Sequence, residues 1–367
     1  PVRYSDDLLS DDIAKAHHDI ARTVAEHSSV LLKNDAATLP LKPGTRVAVI
    51  GDMAATARYQ GSGSSKVNAT KEENILDEVK NAEGLVLAGY EQGYDRQGKP
   101  DEVLLNDAVA LAKKDAVDVV LAVVGLDERS ESEGLDRSTM AIPQAQNDLV
   151  TALAKTGKPV VIVLVAGSPV ELPWFNDVAA MLYVGLSGQA GASATVRALT
   201  GEVNPSGHLA ETWPMQYEDC PSSGWYPAIG RAASIRRSSP TPLLGVPVRF
   251  PFGYGLSYST FTYSAITATA TGVDFVVTND SDVAGSTVAQ LYVRAPQGGV
   301  LHPDRELKGF IKVELAAHES KSVHIDFDRY TFRHFDVAAN AWKTESGEWT
   351  LLVGDNAEHL PLAIPHT

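Results

Sequence analysis

The chain has 367 residues, is 44% hydrophobic and 21% charged, and carries a formal net charge of −15. That length exceeds one ordinary domain and predicts two, while the acidic balance argues against nucleic acid and anionic membrane surfaces as partners. Cys220 is the only cysteine, so no intrachain disulfide can form, and no apolar run approaches the roughly 20 residues that span a bilayer.

The chain begins at Pro1 rather than Met. A Met or a signal has been removed, or this is a piece of something longer. Cytoplasmic and periplasmic or secreted bacterial locations both stay open. Residues 1–13 read as a tail or a linker from a missing domain, and 14–235 then alternate apolar runs with helical patterns. Segments 46–51, 84–88, 117–125, 159–165 and 180–184 are short, continuous and rich in Val and Ile, as strands of a sheet covered on both faces must be. Helices are expected at 11–29, 70–82, 103–114, 143–156 and 189–199. This alternation predicts an α/β fold: a mostly parallel sheet flanked by helices.

Pro, Ser and Gly accumulate around Pro221-Ser222-Ser223-Gly224 and Ser238-Ser239-Pro240-Thr241-Pro242, as in a long loop, and 236–257 read as a linker. From 258 to 367 the pattern turns to short strands at regular spacing, at 263–271, 273–279, 288–295, 309–315, 320–327 and 349–353. Asn279-Asp280-Ser281 and Gly298-Gly299 mark turns. About a hundred residues of this kind predict a small β-sandwich.

The richest chemistry lies in Glu128-Arg129-Ser130-Glu131-Ser132-Glu133-Gly134-Leu135-Asp136-Arg137. It follows an expected strand, and loops after strand C-termini are where open α/β sheets bind ligands. A carboxyl among like charges is hard to ionise, so crowding here is expected to raise a pKa toward that of a working general acid. The plain alternative is a solvated acidic loop. Other chemistries fare worse. Ile50-Gly51-Asp52 lacks a dinucleotide fingerprint, and Gly61-Ser62-Gly63-Ser64-Ser65-Lys66 lacks the order of a P-loop. Gly185-Leu186-Ser187-Gly188-Gln189 has Gln where a nucleophile elbow needs Gly. The histidines show no metal-ligand spacing, and His17-His18 is expected on a solvated helix surface.

Several motifs together resemble glycoside hydrolase family 3. Ser29-Val30-Leu31-Leu32-Lys33-Asn34 with Leu39-Pro40-Leu41 resembles that family's entry into its second domain, and Gly61-Ser62-Gly63-Ser64-Ser65 its Gly/Ser loop. Glu131-Ser132-Glu133-Gly134-Leu135-Asp136-Arg137 is similar to its acid/base loop. Gly201-Glu202-Val203-Asn204-Pro205-Ser206-Gly207 and Phe250-Pro251-Phe252-Gly253-Tyr254-Gly255-Leu256-Ser257-Tyr258 match two further signatures. Gln290-Leu291-Tyr292-Val293 and Glu306-Leu307-Lys308-Gly309-Phe310 resemble its fibronectin type III module.

The resemblance implies a β-glucosidase-like, retaining, exo-acting enzyme in which 14–235 and 258–367 form the α/β sandwich and the fibronectin-like sandwich. It implies a separate (β/α)8 barrel that carries an aspartate nucleophile in a Ser-Asp-Trp context. That motif does not occur here, and a barrel needs about 200 residues or more. The nucleophile is therefore expected outside this chain, and the isolated chain is expected to be inactive. By position in the motif Glu133 is the general acid/base, with Glu131 as runner-up. Asp127 and Glu128 are expected to be solvated loop charges. Gly63, Ser64 and Ser65 are expected to touch substrate, and Asp136 with Arg137 to order the loop as an ion pair. Trp174 is expected to fill the core, and Glu211 reads as structural. No metal or organic cofactor is implied. The partners implied are a β-glucoside or oligosaccharide and the barrel, with homo-oligomerisation left open. A β-xylosidase of the same family, a non-catalytic carbohydrate-contacting or scaffold module, and a flavodoxin-like nucleotide-binding domain remain as alternatives.

Overall fold

The computed structural model describes residues 10–220, 223, 246–296 and 302–367. The chain divides into two compact units, Pro1–Gly207 and His208–Thr367. Most of 221–245 and the expected turn at Gly298-Gly299 lie outside the described residues. No helix among the described residues is long and apolar enough to cross a membrane.

The first unit runs α1 (Asp11–Ser28), β1 (Val30–Asn34), β2 (Thr45–Ile50), α2 (Asp52–Ala55), α3 (Ile75–Asn81), β3 (Leu85–Glu91), α4 (Glu102–Ala112), β4 (Val119–Gly125), α5 (Gln144–Ala154), β5 (Val160–Val165), β6 (Ala180–Tyr183) and α6 (Gly191–Thr200). Helix starts are fixed by side-chain caps. Ser10 accepts from the Ile13 amide, Asn74 from that of Asp77, and Asp101 from those of Val103 and Leu104, which satisfies donors that a first turn leaves open. The strands form one six-stranded sheet in the order β1-β6-β5-β4-β2-β3. All neighbours are parallel except β1, which pairs antiparallel with β6. Every residue of β4 and β5 is buried, as a central parallel strand requires. These strands also leave no room for a larger residue at Gly125, where a Cβ would sit 1.7 Å from the Val165 carbonyl oxygen. Trp174 is 1% exposed and its indole donates to Asn147 Oδ1 at 2.9 Å.

His17 is exposed, but His18 is not a solvated helix-surface residue. It is buried at 6% exposure. Its Nε2 lies 2.6 Å from Glu73 Oε1 and its Nδ1 2.9 Å from Gln189 Nε2. Glu73 also accepts from the Ser193 amide of α6 at 3.0 Å and from Lys71 at 3.2 Å. One carboxylate thus joins α1, the approach to α3 and the start of α6.

The second unit begins with the short antiparallel pair β7 (Trp213–Pro214) and β8 (Val248–Phe250). It continues with β9 (Phe261–Ala268), β10 (Gly272–Asn279), β11 (Gly285–Arg294), β12 (Glu306–Leu315), β13 (Ser320–Asp326), β14 (Arg333–Asp336), β15 (Ala341–Thr344), β16 (Trp349–Gly354) and β17 (Leu362–His366). Sheets β13-β10-β9 and β12-β11-β16-β17 are antiparallel, and β14 pairs with β15 in a ribbon of two strands. Alternation places Val273, Phe275 and Val277 of β10 in one core with Leu291, Val293, Leu351 and Val353, the period-2 pattern of a sandwich.

Candidate active site

The acidic run leaves the C-terminal end of β4. From β2 the chain goes out to β3 on one side and returns to β4 on the other, so the topological reversal lies between β2 and β4. Loops at such a reversal flank a ligand crevice. A cavity of about 350 Å³ lies there, lined among others by Arg58, Ser62, Ser64, Ser65, Glu131 and Glu133. The serines come from the segment after β2 and the glutamates from the loop after β4.

The carboxylates of the run do not crowd one another, because each has its own partner. Glu128 meets Arg96, whose Nη2 donates to Oε1 at 2.7 Å while Nη1 holds Asp52 Oδ1 at 2.7 Å. Burial pushes the Glu128 carboxyl up, but Arg96 outweighs it and the pKa falls below the ordinary value. Asp127 is 4% exposed and accepts from the Ser130 amide at 2.7 Å. Asp127 is therefore a buried turn former rather than a solvated charge, whereas Glu128 is solvent-exposed as expected but anchored by Arg96.

Glu131 is half-buried and saturated. Its Oε2 accepts from Arg58 Nη1 at 3.0 Å and from the Gly167 amide at 2.8 Å, and its Oε1 accepts from Ser168 Oγ. Arg58 is 4% exposed and spends further donors on the carbonyls of Leu126 and Glu131, at 2.6 and 3.0 Å. Burial raises the Glu131 pKa, but Ser168, the Gly167 amide and Arg58 together hold it below the usual carboxylate range. Arg137 reaches the same point: its Nη1 donates to Ser168 Oγ at 2.8 Å and to the Pro169 carbonyl at 3.2 Å. Arg137, Ser168 and Glu131 thus tie the acidic loop to the loop after β5. Asp136 precedes Arg137 on the same loop.

Glu133 is placed differently. It stands on the cavity wall and, among the described residues, its hydrogen bonds go to the Gly/Ser loop. Its amide donates to the Ser62 carbonyl at 3.2 Å. Its Oε2 accepts from the Ser64 amide at 2.8 Å and from the Ser64 hydroxyl. Those two bonds hold the Glu133 carboxyl below its ordinary pKa, so the upward shift expected from like-charge crowding does not occur. Gly63 makes this approach feasible. Its φ is +103°, and a Cβ there would meet Glu133 Cβ at 2.9 Å, so any side chain would push the glutamate away. Ser64 and Ser65 line the cavity, while Gly63 supplies the clearance. Arg58, Arg96 and Ser168 carry no motif, and nothing local in the sequence marks them.

The model of the glycosyl hydrolase family 3 C-terminal domain matches residues 29–258. The chain belongs to that family. A fibronectin type III-like domain model matches residues 287–357. Thermostable beta-glucosidase B of Acetivibrio thermocellus is 39% identical over 362 residues, which cover 95% of this chain and 48% of the relative. An exo-alpha-(1->6)-L-arabinopyranosidase of Bifidobacterium breve is 38% identical, covering 94% of this chain and 48% of its own length. Among solved structures, a family 3 beta-glucosidase of Bifidobacterium adolescentis aligns with a TM-score of 0.90 at 36% identity, over 99% of this chain and 55% of that one. This family 3 chain spans about half the length of the relatives it matches.

Proposed function

We propose that this chain is the acid/base-bearing part of a retaining, exo-acting β-glycosidase that hydrolyses terminal non-reducing β-D-glucosyl residues. Glu133 protonates the leaving oxygen and later deprotonates water. An aspartate on a (β/α)8 barrel outside this chain acts as the nucleophile. A retaining site needs the two carboxyl groups about 5–5.5 Å apart, so the barrel must close over the cavity between β2 and β4.

The observation that carries this reading is the contrast between the two glutamates. Both oxygens of Glu131 are committed to protein donors, whereas Glu133 lines the cavity with only Oε2 engaged among the described residues. Glu131 is the anchor and Glu133 the working group. The Ser64 donors favour the carboxylate, which suits the base step. Protonation for the acid step then comes from burial under the barrel and from the nucleophile's negative charge, both of which raise a carboxyl pKa.

The test uses the protein that carries both carboxylates. General acid catalysis is worth about 10²–10⁴-fold, so Glu133→Ala should cripple glycosides with poor leaving groups and largely spare activated aryl ones in the first step. The glycosyl-enzyme should accumulate, and azide, which needs no base, should restore turnover and give a β-glycosyl azide. Rescue at Glu131→Ala instead would move the assignment by two positions, and no response at either would favour a non-catalytic module. Aryl β-glucoside, β-xyloside and α-L-arabinopyranoside belong in the substrate panel, the last because of the arabinopyranosidase relative.

A further inference from the structure

Three side chains far apart in the sequence converge in the second unit. His302 lies just ahead of β12, His334 is on β14, and Glu345 directly follows β15. One ligand-capable atom of each lies within 4.8 Å of the other two. His302 Nε2 is 3.2 Å from Glu345 Oε2, and these two side chains are only 10% and 11% exposed. Yet Nε2 of His302 and Nδ1 of His334 are buried nitrogens with no hydrogen-bond partner among the described residues. Buried polar atoms are seldom left this way without a reason.

The other side of His302 is fully arranged. Its Nδ1 lies 3.0 Å from Glu306 Oε1, and Lys308 Nζ donates to Glu306 Oε2 at 2.9 Å. Glu306 thus occupies the Nδ1 side of the ring, and Nε2 is the nitrogen turned to His334 and Glu345. A carboxylate behind the distal nitrogen is the usual support of a metal-bound histidine. The competing arrangement is a plain His302–Glu345 ion pair at 3.2 Å, which leaves the buried His334 Nδ1 without a role.

We infer that His302, His334 and Glu345 bind a divalent transition metal of the zinc type, with water completing the coordination. Two imidazoles and one carboxylate suit zinc and disfavour calcium or magnesium, which take oxygen ligands. Zinc bonds of about 2.0–2.1 Å place tetrahedral ligands roughly 3.3 Å apart. The His302–Glu345 separation of 3.2 Å is close to that value, and at most roughly 1.5 Å of side-chain movement closes the rest from 4.8 Å. The ion would fasten the β14–β15 ribbon to the head of β12, and a ribbon of two strands is marginal by itself.

The test is a titration of the chelator-treated 367-residue chain with Co²⁺ and then Zn²⁺. One Co²⁺ per chain should bind with the intense visible absorption of a tetrahedral nitrogen–oxygen site, and Zn²⁺ should displace it. Zn²⁺ at a hundredfold excess over its Kd should raise the unfolding temperature of the second unit by roughly 5 °C or more. His302→Ala and His334→Ala should each weaken Zn²⁺ binding at least about 100-fold. Glu306→Gln, which touches no ligand atom of the site, should weaken it about 10–100-fold. His359→Ala, at an exposed histidine, should change nothing. Absence of the Co²⁺ absorption in the unmutated chain overturns the inference without relying on any variant. So does Zn²⁺ affinity that is unmoved by both histidine changes, or that falls equally with His359→Ala.

Discussion

Glu131 and Glu133 are two positions apart and have opposite relations to the fold. Glu131 neutralises a guanidinium that is itself almost wholly buried, whereas Glu133 holds Ser62 and Ser64. Removing one partner of a buried pair strands the other charge. Glu131→Ala should therefore cost about 3 kcal/mol in urea unfolding, while Glu133→Ala should leave the midpoint where it is. An equal loss in both variants would mean that the two carboxylates share one structural job. The sequence reveals that this loop is rich in carboxylates but not how they are separated. Neighbours in the chain read as a like-charge cluster, yet Arg96, Arg58 and Ser64 draw them to different partners. Those partners sit on other loops, where no local pattern marks them. The convergence of His302 and His334 is hidden for the same reason.

Elements were legible where burial is uniform. The Val- and Ile-rich runs of β4 and β5 are apolar along their whole length because both faces are covered, and such runs identify a strand with no further context. β1 is harder. It lies at the sheet edge, runs antiparallel, and has a register shift between Leu31 and Lys33. Strands β14 and β15 are short and exposed or half-exposed, so neither carries an apolar pattern. His18 departs from its expected place because the buried face of α1 is narrow, with His18 and Ala25 as its buried residues, and a polar side chain on that face reads like its solvated neighbour His17. Its partner Glu73 makes a prediction at this scale. Burial raises the Glu73 pKa, but Ser193, His18 and Lys71 together hold it below the ordinary value. A depressed carboxyl stabilises the fold fully above the ordinary range, and that contribution is lost as pH falls through the folded-state pKa. Glu73→Gln should cost about 1–3 kcal/mol at neutral pH. Its gap to the unmutated chain should close in acid, below about pH 4. Urea melts of the two proteins across that range would show it, and a constant gap would refute the ionised assignment.

For the whole molecule, the two-part organisation and its order were readable from the change of hydrophobic period alone. The domain models at residues 29–258 and 287–357 follow that order. Activity belongs to something larger than this chain under the proposed mechanism, because one carboxyl cannot run a retaining double displacement. The 367-residue chain, purified alone, should turn over nitrophenyl β-glucoside no faster than buffer, and turnover that vanishes with Glu133→Ala would sink the half-site reading.

The junction at Glu73 also sets how the first unit breathes. Its carboxylate holds α1 through His18 and α6 through the Ser193 amide, so neither helix can swing away without abandoning the same buried charge. Amide protons in the middle of α1 and of α6 should therefore exchange with solvent deuterium at matched rates. Both sets should speed up together in His18→Ala, as a single cooperative opening rather than the fraying of separate helices.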